Sequence, residues 1–187
     1  MKPSIISIVG LSGSGKTTLL ERLIRELKWR GLNVGTIKHS SHPHPMDMPG
    51  KDSWRHRKAG AERTLFVGPS SLQYVADLEG ETTPKTLADT YMNGLDVVLV
   101  EGFLTEEGDK IEVVRSERST KPICVPGKSE DGVGGLLAIM SDLDAQALGS
   151  PGVDILDLDD VEGLANFIME RFSLKGKPVG DGCGTQE

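Results

Sequence analysis

Gly10-Leu11-Ser12-Gly13-Ser14-Gly15-Lys16-Thr17 spells the pattern G-x-x-x-x-G-K-[ST]. Its meaning depends on what flanks it. Before it runs Ser4-Ile5-Ile6-Ser7-Ile8-Val9, short and rich in β-branched residues, as a buried strand is. After it, Leu19, Leu20, Leu23, Ile24 and Leu27 recur at helical spacing until Gly31, a residue suited to ending a helix. Strand, glycine loop and helix are the context in which this pattern binds nucleotide phosphates.

The residue types follow from that chemistry. Glycines let the backbone curl so that successive N–H groups point inward at phosphate oxygens. A helix beginning near Gly15 adds unpaired N–H groups and the positive end of its dipole. Gly10, Ser12, Gly13, Ser14, Gly15, Lys16, Thr17 and Thr18 are the residues assigned to the nucleotide. Among them Lys16 is suited to the β- and γ-phosphates, and the Thr17 hydroxyl to Mg²⁺.

Composition narrows the class. A chain of 187 residues is long enough for one domain with a substantial core. A net charge of −7 argues against a general nucleic-acid binder, which presents a basic face. Two cysteines, Cys124 and Cys183, lie far apart without metal-ligand spacing and suit a reducing compartment. No apolar run is long enough for a membrane span, and the first strand starts too early to leave room for a signal peptide. The expectation is a soluble cytoplasmic protein.

Further along, Val34–Lys38 reads as a second strand, closing a βαβ unit with a right-handed crossover. The segment from His39 to Asp52 has three prolines and no periodicity, and reads as a long surface loop. Asp52 or Ser53 caps a short helix from Trp54 to about Ala61. Two short strands, 63–67 and 72–75, are joined by Gly68-Pro69-Ser70, and a helix follows over 84–92. Asp96–Gly102 is a continuous apolar strand of the kind covered on both faces. Lys110–Arg115 alternates and reads as a more exposed strand that could pair across a two-fold axis. Residues 129–135 form a turn, Leu136–Met140 a buried strand and Ile155–Leu158 a short last strand. Asp159-Asp160 then caps a helix whose apolar face is Val161, Leu164, Ala165, Ile168 and Phe172. The reading is one nucleotide-binding domain over residues 1–172 and a disordered tail over 173–187. The alternation of strands and helices implies an α/β three-layer sandwich around a largely parallel sheet.

Other residues complete the site. A carboxylate on a neighbouring strand must hold Mg²⁺, and four apolar residues deliver Glu101 to such a strand end. Asp52, in the loop after the second strand, is suited to orienting water or sensing the γ-phosphate; Arg55 is placed to reach phosphate or a partner. All four histidines fall between residues 39 and 56, but their spacing fits no standard zinc pattern. Asp142 follows the Leu136 strand; it reads either as a guanine-base acceptor or as a turn residue.

Several segments together resemble one family, MobB, the molybdopterin-guanine dinucleotide biosynthesis adapter proteins. They are Gly10 to Thr17, Thr36-Ile37-Lys38-His39, Gly50-Lys51-Asp52-Ser53-x-Arg55, Ala59-Gly60-Ala61, Val100-Glu101-Gly102-Phe103, and Lys110-Ile111-Glu112-Val113 with Arg115. The resemblance spans roughly residues 4–172. It implies a P-loop GTPase fold with an additional antiparallel strand region, a homodimer, and GTP binding with weak hydrolysis. It also implies cooperation with MobA, the nucleotidyltransferase that joins GMP to molybdopterin. Under it, Lys16, Asp52 and Glu101 serve catalysis, Thr17, Glu101 and Asp52 hold Mg²⁺, and Lys38, His39 and Arg55 line a mobile site loop. Leu104 departs from the pattern, since the family often has a lysine there. A small-molecule kinase using ATP or GTP, or a nucleotide-stabilised dimer without catalysis, are the competing readings.

Overall fold

The computed structural model describes residues 2–40, 42, 45–78, 80, 82–124 and 135–177. Its elements are β1 (Ser4–Val9), α1 (Lys16–Trp29), β2 (Val34–Lys38), α2 (Asp52–Lys58), β3 (Arg63–Val67) and β4 (Leu72–Ala76). They continue with α3 (Pro84–Tyr91), β5 (Val97–Glu101), β6 (Asp109–Val114), β7 (Gly135–Ser141), β8 (Asp154–Asp157) and α4 (Val161–Arg171). They gather into two compact units, Met1–His39 with Thr83–Glu187, and Ser40–Thr82. Among the described residues, no helix is long and apolar enough to cross a membrane.

The larger unit is built on a six-stranded sheet in the order β2-β5-β1-β6-β7-β8. Every neighbouring pair is parallel, with Ser4 opposite Val97 and Val9 opposite Glu112. Strand side chains alternate between faces. One face sends Ile6, Ile8, Leu99, Ile111 and Met140 against Leu23 and Leu27 of α1 and Leu164 and Ile168 of α4, all fully buried. The other face sends Val98 and Val100 against Ala88 of α3 and Phe103, and Leu136 and Ile139 against Leu148. Helices on both sides of a parallel sheet give the expected three layers.

The helix ends follow local chemistry. Thr83 accepts from the Thr86 N–H while Thr86 returns the bond, and Pro84 fills the first turn of α3. Asp160 Oδ1 accepts from the Gly163 N–H at 2.8 Å and opens α4. The short helix differs from expectation: Lys51 stands at its cap and makes no side-chain cap bond, and Asp52 is its first residue. It stops at Lys58, where Ala59 caps it.

β6 is the main correction. It lies between β1 and β7, with residues 111–114 buried, rather than on the surface. Neither its edge is free to pair across a two-fold axis. Two of its polar residues, Lys110 and Glu112, are satisfied from within. The Lys110 ammonium donates to the Glu106 and Gly108 carbonyls. Glu112, only 2% exposed, accepts from the backbone N–H groups of Ile123 at 2.7 Å and Cys124 at 2.9 Å.

The segment after α4 is packed where it is described. The Leu174 N–H donates to Met169 O at 2.9 Å, its side chain joins the core, and the Lys177 N–H donates to Gly31 O at 3.3 Å. Here two glycines are required. A Cβ on Gly31 would stand 2.0 Å from Lys177 O, and one on Gly176 would stand 1.8 Å from Arg30 O. Most of the expected 129–135 turn and the last ten residues of the expected tail lie outside the described residues.

The smaller unit holds the β3–β4 antiparallel hairpin, with Leu65 opposite Tyr74, and α2. Arg57 ties them by donating to Ala61 O, Glu62 O and the Asp77 carboxylate. Leu65, Phe66, Val67 and Leu72 of the hairpin stand between 60% and 72% exposed.

Candidate functional site

Val9 delivers the chain from the sheet into the glycine loop, and Lys16 opens α1 beyond it. Gly10, Gly13 and Gly15 have φ of 139°, 76° and 96°, a region that side-chain-bearing residues rarely occupy. Gly10 is fixed further by packing, since a Cβ there would sit 2.4 Å from Val113 O on β6. Gly15 caps α1 without any side-chain hydrogen bond. The first N–H groups of the helix are thus left for an anion.

Lys16 folds back over this loop, its ammonium donating to Gly10 O at 2.9 Å and Leu11 O at 2.7 Å. Burial lowers its pKa; the Glu101 carboxylate opposes that shift and the Lys38 ammonium adds to it. Glu101 ends β5, beside β1, and its side chain is 15% exposed. The Thr17 hydroxyl lies 3.1 Å from each Glu101 oxygen, and the Lys38 ammonium lies 2.6 Å from Oε1. A hydroxyl and a carboxylate meeting at a phosphate loop form an all-oxygen donor pair of the kind Mg²⁺ takes, with phosphate and water completing its shell. The loop and this pair fit a magnesium nucleotide.

The remaining predicted residues fall in different places. The His39 N–H donates to Glu101 O at 2.9 Å, and its ring packs on Phe103 with centroids 4.4 Å apart. Gly102, at φ 107°, makes room: a Cβ there would be 3.1 Å from His39 Cβ and O. Asp142 follows β7 at the same sheet end. Both its oxygens are occupied, by the Ser116 N–H at 2.8 Å and the Ser116 hydroxyl at 2.6 Å. Those bonds, the hydroxyl's above all, hold its carboxyl below the usual range. Asp52 and Arg55 belong to the smaller unit, where their charged groups lie 3.7 Å apart on an exposed face of α2. Among the described residues no three His, Cys, Asp or Glu side chains cluster as metal ligands.

Two residues at the loop escaped the reading of roles from sequence. A Cβ on Gly13 would lie 2.7 Å from the Arg118 guanidinium, and one on Gly15 would lie 3.3 Å from that of Arg115. The sequence assigns Arg115 no role beyond ending the Lys110–Arg115 strand and completing the family pattern. The available signal was its position just past a strand parallel to β1.

The family model described as "Molybdopterin guanine dinucleotide synthesis protein B" matches residues 5–142. The molybdopterin-guanine dinucleotide biosynthesis adapter protein of Escherichia coli K12 is 37% identical over 169 residues, spanning 89% of this chain and 91% of its own. The adapter protein of Haemophilus influenzae is 42% identical over 120 residues, spanning 64% of this chain and 67% of its own. Among solved structures, Bacillus subtilis MobB superposes with a TM-score of 0.67 at 27% identity, covering 93% of this chain and 99% of that one. A crystal structure of molybdopterin-guanine biosynthesis protein B gives 0.66 at 28% identity, covering 91% and 99%.

Proposed function

The chain belongs to the MobB family, the adapters of molybdopterin-guanine dinucleotide biosynthesis, and from that premise we propose that it binds GTP at Gly10–Thr17 and hydrolyses it weakly. In this reading it acts as a homodimer beside a MobA-type nucleotidyltransferase and supports the joining of GMP to molybdopterin. The observation that carries the nucleotide assignment is the Thr17–Glu101 pair at 3.1 Å, set below a glycine loop that Lys16 spans.

The chain's own groups divide the work. Lys16 exchanges its two loop carbonyls for phosphate oxygens, a charge-assisted contact stronger than those it gives up. Backbone N–H groups of residues 13–17 hold the phosphate chain at the helix end. Thr17 and Glu101 would hold Mg²⁺, which would supply positive charge against the phosphates. Lys38 ends β2 with its ammonium 2.6 Å from Glu101, and His39 follows it, both beside the proposed Mg²⁺ position. Asp142 is assigned to the guanine base, for which Ser116 must yield at least one oxygen.

Equilibrium titration of GTP and ATP, each with Mg²⁺, against wild type and Lys16→Ala tests this reading. The expected result is GTP preference, with affinity reduced at least about thirtyfold by the substitution, from loss of a charge-assisted contact. Equal or tighter ATP binding would count against the guanine assignment and favour a kinase.

A further inference from the structure

We propose that Arg115 and Arg118 are phosphate ligands, two guanidinium groups that the turn after β6 brings against the glycine loop to hold the bound nucleotide's phosphates. The inference deepens the nucleotide reading and rests on it. β6 runs parallel to β1 with Glu112 opposite Val9, so the residues after Val114 emerge at the same sheet end as the loop after Val9. The backbone then turns at once, with the Arg118 and Ser119 N–H groups donating to Arg115 O at 2.8 and 3.0 Å. Both guanidinium groups come to the loop's glycines, Arg118 to Gly13 and Arg115 to Gly15.

This turn is held from two sides. Asp142 accepts from both the N–H and the hydroxyl of Ser116, and one of these bonds remains where the other oxygen turns to the base. Buried Glu112 takes the N–H groups of Ile123 and Cys124 where the chain returns. A ligand therefore meets side chains on an already ordered backbone, and less ordering entropy is lost on binding.

Among the described residues, neither Arg115 nor Arg118 has a carboxylate in salt-bridge contact. Arg115 Nε is shielded from solvent and has no hydrogen-bond partner among the described residues. The same holds for Ser14 Oγ in the loop, on a residue 1% exposed. Asp142 lies in the field of Arg115 but spends both oxygens on Ser116. Lys16, two guanidinium groups and the positive end of α1 thus converge in a chain whose net charge is −7. Glu101 beside Lys16 and Asp142 beside Arg115 offset part of this charge, and a bound phosphate would offset more. The forked guanidinium suits phosphate oxygens in particular.

The test titrates Mg²⁺–GTP against wild type, Lys16→Ala, Arg115→Gln and Arg118→Gln across a series of salt concentrations. Each arginine substitution is expected to weaken binding about tenfold, the loss of one charge-assisted contact. Each should also flatten the dependence of affinity on salt, because one screened attraction is gone. Normal affinity in both arginine variants, with loss in Lys16→Ala, would overturn the proposal while leaving the nucleotide site intact. Weaker binding with an unchanged salt slope would also overturn it, since that marks a brace for the loop. A wild type that binds no nucleotide removes both readings together. Phenylglyoxal labelling of the wild type needs no variant to fold: saturating GTP should protect Arg115 and Arg118, and equal labelling with and without GTP would sink the idea.

Discussion

Glu112 is a carboxylate inside a parallel sheet, where an unpaired charge would cost several kcal/mol. Two backbone N–H groups from residues 123 and 124 solve that problem, and in doing so they tether the chain after β6. Glu112→Ala removes both acceptors at once and should destabilise the protein by about 2–4 kcal/mol, read from urea unfolding. Cys124 reports on the same site. Burial, then the neighbouring carboxylate, push its thiol up to about 12. At pH 8 it should alkylate about three orders of magnitude more slowly than a free thiol, because the thiolate is the nucleophile. Glu112→Gln should speed that reaction. A raised thiol pKa favours the protonated form in the folded state, so this contribution to stability falls away as pH rises above the unfolded value of 9.0 towards 12. Residues of this kind mark where sequence reading stopped. Gly10–Thr17 and Glu101 were legible because each sits beside the strand that explains it. Lys110-Ile111-Glu112-Val113 instead alternates like a half-exposed strand, and the groups that satisfy Glu112 lie 11 and 12 residues further on. Arg118 was hidden for a related reason: only the fold brings it to Gly13.

Most elements follow from patterns that are local. β5 and β7 are apolar runs, α1 carries a clear leucine face, and α4 starts at an aspartate. The hairpin is read from its Gly-Pro-Ser turn, and β3 and β4 stand as expected. The C-terminal segment is less legible, because polarity and glycine content suggested a tail from Ser173. Leu174 nevertheless returns to the core, and the Gly31–Gly176 crossing lets two backbones approach closer than any side chain would allow. Ending the chain at Phe172 should therefore cost stability, about 1–2 kcal/mol for one partly buried leucine. Thermal unfolding of the shortened chain checks this. An unchanged midpoint would mean that the crossing contributes nothing.

At the scale of the whole molecule, the proposed homodimer needs a surface, and β6 cannot supply it because both its edges are already paired. The hairpin is the better candidate. Leu65, Val67 and Leu72 expose apolar side chains on one face of two short strands, a surface that a monomer seldom leaves to water. Sedimentation equilibrium at micromolar concentration should give a dimer for wild type and a monomer for Val67→Asp. A monomeric wild type would count against the assembly. The sheet order has another consequence, which concerns synthesis. β1 pairs only with β5 and β6, and its first partner, Val97, lies more than ninety residues after Ser4. At ordinary rates of translation, about 5–20 residues per second, the nascent Ile5–Val9 segment waits roughly 5–20 s before any strand it can pair with exists. During that interval its apolar side chains and unpaired backbone are open to other chains. Yield on expression should thus depend on how well chaperones shelter the first hundred residues, and hardly at all on the nucleotide, whose loop cannot set until β5 and β6 arrive.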